Sequence, residues 1–207
     1  MADAYHHGDL GPALLAAAVE LARESGPDGV VLREATRRVG VSATAAYRHF
    51  ADRGSLLAAV GDRARGALAD AMEAAAADVP GRSGRRRAVA RLQATGRAYV
   101  GFALAEPGLF RTGFAGLGVP SANDPVAVAD CATPERPDRA YGVLAAALAD
   151  LVEAGALPPG QRPGAEVAAW AAVHGLSLLL LDGVVASPGA DPGPLIERTL
   201  RMVVDGL

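Results

Sequence analysis

Three side chains in the C-terminal half of the chain have the residue types of a hydrolytic triad. His174, Ser177 and Asp182 could supply a base, a nucleophile and an acid. Their spacing of i, i+3 and i+8 on one helix does not bring such a group into line. Trp170 and His174 are four residues apart and share a helix face. We interpret them as a packed Trp and a hydrogen-bonded His at a helix crossing that Gly175 permits. We therefore do not expect the protein to be an enzyme.

Metal and redox chemistry have little support in the sequence. His6 and His7 are adjacent near the N-terminus, without the carboxylate or His spacing of a metal site, so we interpret them as a solvated arm. Cys131 is the only cysteine, which excludes an intrachain disulfide and a cysteine metal site. We interpret it as an inert thiol, with an interchain bridge or a redox-sensing thiol as alternatives. No metal and no cofactor is expected.

Hydrogen-bond donors are gathered in one short segment nearer the N-terminus. Thr44, Tyr47, Arg48 and His49 lie on one predicted short helix, and such donors read base edges and phosphates when a helix enters the major groove of DNA. All 20 basic residues of the chain are Arg. Between residues 33 and 53, five Arg stand against two acidic residues, a local charge of +3 in a chain of net charge −3. This pattern indicates local DNA binding and argues against a protein that coats nucleic acid by bulk charge.

The elements around these donors have the spacing of a helix-turn-helix. A predicted helix over 32–39 is followed by a turn at Gly40 and Val41, and Gly40 can adopt a positive φ there at little cost. Ser42 is a good N-cap for a third helix, predicted to run through His49. Phe50 is expected to anchor its far end.

The rest of the chain is also predicted to be helical, because Gly and Pro clusters divide it into blocks without a period-2 strand pattern. About half of the residues are apolar, which is typical of a globular protein. The fold class is therefore expected to be all-α. The other predicted helices cover residues 10–25, 53–77, 85–105, 138–154, 165–186 and 192–204, with an irregular segment over 116–137. The helix 85–105 is expected to stop at a break over 106–108 and to continue briefly through Phe114.

Four stretches of the sequence resemble the TetR family of bacterial regulators. GVSATAAYRHFADRGSLLAAV is similar to that family's turn, recognition helix and start of the fourth helix. YHHGDLGPALLAAA resembles the arm and first helix of one subgroup. AYVGFALAEPGLFRTGF and AWAAVHGLSLLLLDG resemble the C-terminal domain of the same subgroup, which Trp170, His174 and Gly175 mark. The resemblance implies a three-helix DNA-binding domain over residues 1–54 and a helical ligand-binding and dimerisation domain over 55–207.

The resemblance also implies which residues contact DNA. By position, Tyr47 and His49 contact phosphates, whereas Arg53 meets the DNA backbone at a helix N-terminus that favours an anion. Val31 departs from the family, which usually has Thr or Ser there, so the second helix is expected to lack a side-chain cap. Base edges are expected to face Ala43, Thr44, Ala45 and Arg48, and Arg33 and Ser42 complete the predicted DNA-binding set.

A cluster of aromatic residues predicts the ligand site. Tyr99, Phe102, Phe110 and Phe114 lie within 16 residues; such residues form either core or pocket, and in the TetR family this helix pair lines a ligand cavity. We expect a void of at least about 300 Å³ among these four side chains and Trp170, because ligand pockets have that size and are mostly apolar. His174 is the expected polar contact.

The predicted helix 165–186 is apolar nearly all round, so it must be buried on more than one side. Its longest apolar run has 15 residues, whereas a bilayer span needs roughly 20, so its second face is expected to meet a copy of itself. The last helix adds a stripe of Leu195, Thr199, Met202 and Val203. Two such helices from each chain predict a two-fold four-helix bundle with an interface above about 1,000 Å².

The resemblance to the TetR family implies a homodimeric repressor that binds a palindromic operator in double-stranded DNA and that a small-molecule effector releases. An activator or a ligand-independent regulator shares every one of these features. The rival class is a helical enzyme or small-molecule carrier, for which no metal spacing, phosphate loop or nucleophile–base pair is found. The N-terminus lacks a signal-peptide pattern, and a cytoplasmic protein is expected.

Overall fold

The computed structural model describes residues 10–115, 139–185 and 189–207, and within them the chain is all-helical. A 3₁₀ turn, Pro159–Gln161, precedes the eighth α-helix. The helices are α1 (Leu10–Gly29), α2 (Leu32–Val39), α3 (Ala43–Ala46), α4 (Arg53–Ala77), α5 (Arg85–Ala105), α6 (Pro107–Phe114), α7 (Arg139–Glu153), α8 (Ala165–Leu181) and α9 (Gly193–Gly206).

The chain forms two compact units. Residues 1–65 and 106–119 make the first, and residues 66–105 and 120–207 make the second, so α4 contributes to both. The predicted division after Gly54 into a DNA-binding and a ligand-binding domain stays a prediction, because packing alone does not test which part carries which function. None of the described helices combines the length and hydropathy that a membrane-spanning segment needs.

The first unit is built on α1, whose inner face is an apolar stripe at helical spacing. The predicted break of this helix occurs at Gly26, where φ is 66°, just before Pro27. Helix α6 packs on α1 at Gly108, since a Cβ there would overlap the backbone carbonyl oxygen of Ala22. Side chains that are fully buried in this unit include Leu14, Ala18, Ala22, Val30, Ala46, Leu56 and Val60.

The second unit has its core between α5, α7 and α8. Leu148 and Leu157 are its most deeply buried members. Helix α9 packs against α5 at Gly96, where an added Cβ would overlap the side chain of Leu200 and lie 3.6 Å from Val173 Cγ1. The close approach that the sequence analysis assigned to Gly175 is therefore made at Gly96. Nothing lies within 4 Å of a Cβ built on Gly175.

Two predicted helix ends are wrong. The third helix ends at Ala46 and not at His49, because the amides of Arg48 and His49 bond three residues back, to Ala45 O and Ala46 O. Helix α8 ends at Leu181 and not at 186, because Gly183 adopts a left-handed φ of 69°. The predicted irregular segment 116–137, with Cys131, and the arm with His6 and His7 lie outside the described residues.

Candidate functional site

The turn between α2 and α3 has the predicted geometry. Gly40 adopts a left-handed conformation (φ 75°, ψ 30°), and its N–H and that of Val41 both donate to Thr36 O, at 2.9 and 3.0 Å. Ser42 then caps α3, because its hydroxyl oxygen accepts from Ala45 N–H at 3.3 Å. Two adjacent local motifs thus fix the direction in which α3 leaves α2.

Helix α3 has one inner face and one exposed face. Ala46 is fully buried and Ala45 is half-buried, so this side of α3 packs on the unit. Tyr47 keeps 57% of its surface exposed, although large aromatic side chains are usually covered. The exposed members of the predicted DNA-binding set are Arg33, Ser42, Ala43, Thr44, Tyr47, Arg48, His49 and Arg53.

Two of the five Arg counted in this region are neutralised by carboxylates. Arg37 donates to both oxygens of Glu34, at 2.9 and 2.7 Å, and this pairing lowers the pKa of Glu34 to about 2. Arg38 donates in the same way to Glu24 of α1, at 2.9 and 2.6 Å. The net positive charge of this surface is therefore smaller than the charge counted between residues 33 and 53, because Glu24, which pairs with Arg38, lies outside that segment.

A third Arg has backbone partners. The Nε of Arg53 donates to Val30 O at 3.0 Å and its Nη2 to Pro27 O at 2.7 Å, so it satisfies carbonyls at the end of α1. The Arg53 side chain is still 48% exposed and therefore accessible to DNA. Its contact with DNA stays a prediction. Of the five Arg between residues 33 and 53, Arg33 and Arg48 form no ion pair with any described residue.

The helix start beside Arg53 carries a capping pair that sequence reasoning missed. Ser55 N–H donates to Asp52 Oδ1 at 2.7 Å, and Asp52 N–H donates to Ser55 Oγ at 3.2 Å. The Asp-x-x-Ser spacing is the signal that could have revealed it. By contrast, Val31 has no side-chain cap bond at the start of α2, as predicted.

The second unit joins Tyr99, Trp170 and His174 in one cluster. The Tyr99 hydroxyl and the Nδ1 of His174 share a hydrogen bond of 2.8 Å. The Tyr99 and Trp170 rings meet edge to face with centroids 5.4 Å apart, and the centroid of the Tyr141 ring lies 5.9 Å from that of Trp170. Burial lowers the pKa of His174. Ser177 donates to Val173 O at 2.7 Å, a bond within its own helix.

Two of the predicted ligand residues line a cavity among the described residues of the second unit. This cavity has a volume of about 20 Å³, and of the predicted set it is lined by Tyr99 and Trp170. Its wall also includes Leu92, Leu144, Val173 and Leu200. Phe110 and Phe114 belong to the first unit, with ring centroids 5.1 Å apart. This cavity is much smaller than the expected void of about 300 Å³, and the ligand-binding role of the individual residues stays a prediction.

Comparison with known families assigns both parts of the chain. Residues 14–60 match the family model of bacterial regulatory proteins of the tetR family. Residues 92–203, more than half of the chain, match the model of the tetracyclin repressor-like C-terminal domain. A search of curated proteins gives no match.

Solved structures show the same fold. A protein of unknown function from Rhodococcus sp. RHA1 has a TM-score of 0.77 and 29% identity, over 100% of this chain and 99% of its own. A tetR family regulatory protein from Rhodococcus RHA1 has a TM-score of 0.61 and 22% identity, over 94% of this chain and 95% of its own. A TetR family transcriptional regulator from Thermus thermophilus has a TM-score of 0.60 and 20% identity, over 94% and 98%. The chain belongs to the TetR family, whose members are DNA-binding transcription regulators and not enzymes.

Proposed function

We propose that this protein is a homodimeric repressor that binds a palindromic operator through α3 and is released by a small-molecule effector. The observation that carries the proposal is the exposed face of α3, whose N-terminal end is oriented by the left-handed turn at Gly40 and the Ser42 cap. That face presents donors for the major groove, and its backbone is fixed before DNA arrives.

The side chains on and next to α3 differ in the DNA groups that they can contact. The Arg48 guanidinium is exposed and free of carboxylates among the described residues, and it can donate to two acceptors of one guanine. Tyr47, also exposed, offers a hydroxyl for phosphate. His49 lies over the start of α1, since a Cβ on Gly11 would be 3.1 Å from its Nδ1. Arg33 adds a phosphate contact from α2, which fixes register without reading sequence.

A second copy of the chain is the partner that the outer face of α8 fits. Ala168, Ala171, Gly175 and Leu179 follow one another at helical spacing, and Leu179 is 42% exposed. Met202 of α9 is 65% exposed. Small and apolar side chains in a row along one helix allow two copies of that helix to pack closely in an isologous interface. A two-fold dimer places two recognition helices one helical turn apart, about 34–36 Å, on a palindromic site.

The match to the family's C-terminal domain supports the proposal that an effector releases the protein from DNA. A ligand that binds one dimer geometry better than the other shifts the population toward it. An activator or a ligand-independent regulator is compatible with the same DNA-binding face. A protein that binds DNA in a bacterial cell would act in the cytoplasm.

A gel shift with the DNA that flanks the protein's own gene tests the proposal. Wild-type protein is expected to give a discrete complex that competitor DNA of unrelated sequence does not remove. Arg48→Ala is expected to weaken this complex by about tenfold or more, because a bidentate base contact contributes roughly 1–3 kcal/mol. Arg86→Ala is the matched control, since Arg86 is exposed at the start of α5 in the second unit. Equal loss in both variants, or no discrete complex with wild type, would contradict the proposal.

A further inference from the structure

An open crevice of about 330 Å³ lies between the start of α5 and the end of α7, within the second unit. Its charged side chains come from both helices, Arg87 and Arg91 from α5 and Asp150 and Glu153 from α7. The crevice shares no residue with the enclosed cavity that Tyr99 lines. None of its lining residues belongs to α8 or α9, the two helices of the proposed dimer face.

Two of these four charged groups are paired with each other, and the other two are not. Arg91 donates from Nη1 to Asp150 Oδ2. Arg87 is half-buried and donates from Nε to Val79 O at 3.3 Å, but it forms no ion pair with any described residue. Glu153 is exposed and likewise has no cationic partner in the described part of the chain. The crevice therefore has an unpaired cation on one helix and an unpaired anion on the other.

Arg91 has donors that its ion pair with Asp150 does not use. Its Nε is buried and has no hydrogen-bond partner among the described residues, although buried donors are nearly always satisfied. Its Nη2 also makes no hydrogen bond within residues 10–115, 139–185 and 189–207. An unsatisfied buried donor is unfavourable for folding, so stability alone does not explain this position of the guanidinium. An acceptor bound in the crevice would use Nη2 and leave the ion pair intact.

The chain around the crevice is basic. Arg82, Arg85 and Arg86 are exposed within five positions of Arg87, and the first turn of α5 has no acidic residue. The first amides of a helix lack intrahelical partners and favour an anion. These charges attract a ligand with more carboxylate groups than ammonium groups.

We propose that this crevice binds a small acidic amino acid, a molecule with two carboxylates and one ammonium group. One carboxylate accepts from the guanidinium of Arg87, the other accepts from Nη2 of Arg91, and the ammonium group donates to Glu153. The crevice volume is at the lower end of the range for ligand pockets, about 300–1,000 Å³, which suits a molecule of this size. The inference goes beyond the proposed function, because the crevice contains no residue of the DNA-binding face or of the proposed dimer face.

Three related probes test the charge pattern of the ligand. The full chain is titrated by calorimetry with L-glutamate, with glutarate, which lacks the ammonium group, and with 4-aminobutyrate, which lacks one carboxylate. We expect saturable binding of L-glutamate that is tighter than that of either other probe by about tenfold, because each of them lacks one charge-assisted hydrogen bond. No saturable binding of L-glutamate would overturn the proposal, and so would glutarate or 4-aminobutyrate that binds as tightly.

Two variants test which residues make the contacts. Glu153→Gln is expected to bind L-glutamate as weakly as glutarate, without losing affinity for glutarate, because it removes only the partner of the ammonium group. Arg87→Gln is expected to bind both probes about tenfold more weakly. Arg63→Gln is the matched control, because Arg63 is exposed on α4 in the first unit and the same charge is removed.

The outcomes of these variants decide the location of the site. Glu153→Gln that binds L-glutamate as tightly as wild type would refute the crevice, and so would an equal loss in Arg87→Gln and Arg63→Gln. Melting temperatures show whether each variant is folded, and exposed Glu153 provides the test if Arg87→Gln does not fold. A gel shift with the wild-type sample separates the two proposals, because protein that binds its operator but not L-glutamate retains the proposed DNA binding and refutes this site alone.

Discussion

The Nδ1 atom of His174 lies 2.8 Å from the hydroxyl oxygen of Tyr99, and this hydrogen bond ties α8 to α5 beside the cavity. Tyr99 is 1% exposed, so its hydroxyl needs a partner inside the protein. Trp170, one turn before His174 on α8, packs edge to face on the Tyr99 ring. The cluster holds one wall of the cavity by a polar contact and an aromatic contact together.

His174 gives the stability of the protein a pH dependence of known sign. Burial lowers its pKa below the ordinary value of about 6.5. Below that pH the unfolded chain binds a proton that the folded chain does not, so stability is lost as the pH falls from 6.5 through the folded pKa. His174→Asn keeps a hydrogen-bonding atom near Tyr99 but does not titrate. We expect wild type to lose more thermal stability than the variant between about pH 7.5 and about pH 5.5, as measured by melting temperature.

The comparison with His174→Asn isolates this one group, since every other titratable residue is present in both proteins. Parallel decreases in melting temperature would show that His174 does not cause the loss. Tyr99→Phe, which removes the hydroxyl, tests the bond itself and is expected to lower the melting temperature at both pH values.

Tyr47 and Arg48 are adjacent and exposed, but we expect their substitutions to differ. Tyr47→Ala should weaken binding to operator and to unrelated DNA about equally, because a phosphate contact carries no sequence information. Arg48→Ala should also change base preference, by roughly 1–3 kcal/mol for each lost base contact. Competition gel shifts with single-base operator variants measure both effects. Unchanged preference in Arg48→Ala together with intact affinity in Tyr47→Ala would mean that α3 is not the recognition helix.

The helix-turn-helix could be predicted because its determinants are local. Gly40 and Ser42 act on residues within four positions of themselves, and the predicted helix 32–39 is the one that the structure has. The predicted length of α3 was wrong because a change to hydrogen bonds three residues back has no clear signal in the sequence. The end of α8 was overestimated because Gly183 stops the helix although apolar residues continue beyond it.

Relationships between distant residues could not be predicted. Arg38 is neutralised by Glu24 across 14 residues, and Arg97 meets Glu197 across 100. The contact of Gly96 with Leu200 is of the same kind, and the only hint in the sequence is a glycine in the middle of a helix. Periodicity identifies the buried face of a helix but not the helix that covers it, so α9 was not expected as a wall of the cavity.

Gly108 should be intolerant of any side chain. A Cβ there would overlap the carbonyl oxygen of Ala22 and lie 2.7 Å from that of Arg23, and backbone atoms cannot rotate away. We expect Gly108→Ala to destabilise the protein by about 1–3 kcal/mol, as overpacking does. Gly142→Ala is the control, because Gly142 is exposed on α7 with nothing within 4 Å of an added Cβ, and it should stabilise by up to about 1 kcal/mol. Denaturant midpoints that change equally would refute the close packing of α6 on α1.

The proposed dimer makes a specific prediction for Gly175. Within one chain an added Cβ at Gly175 meets nothing within 4 Å, so Gly175→Ala should favour the helix by about 0.8–1.0 kcal/mol. In the proposed two-fold dimer the outer face of α8 meets its own copy, and the extra methyl groups should weaken association by about tenfold or more. Sedimentation equilibrium measures the dissociation constant. Gly101→Ala, at an exposed position of α5 with equally open space, should leave it unchanged.

Met202→Arg tests the same interface from α9. Met202 is 65% exposed in the single chain, so an Arg there can remain in water and the fold is retained. In the proposed dimer the two charges would be buried without partners, and such burial is strongly unfavourable. We expect a folded monomer, or an aggregate, that no longer shifts operator DNA because one recognition helix alone lacks the second half-site. Wild-type protein that sediments as a monomer at micromolar concentration would rule out the dimer, and dimers of Met202→Arg as tight as wild type would exclude α9 from the interface.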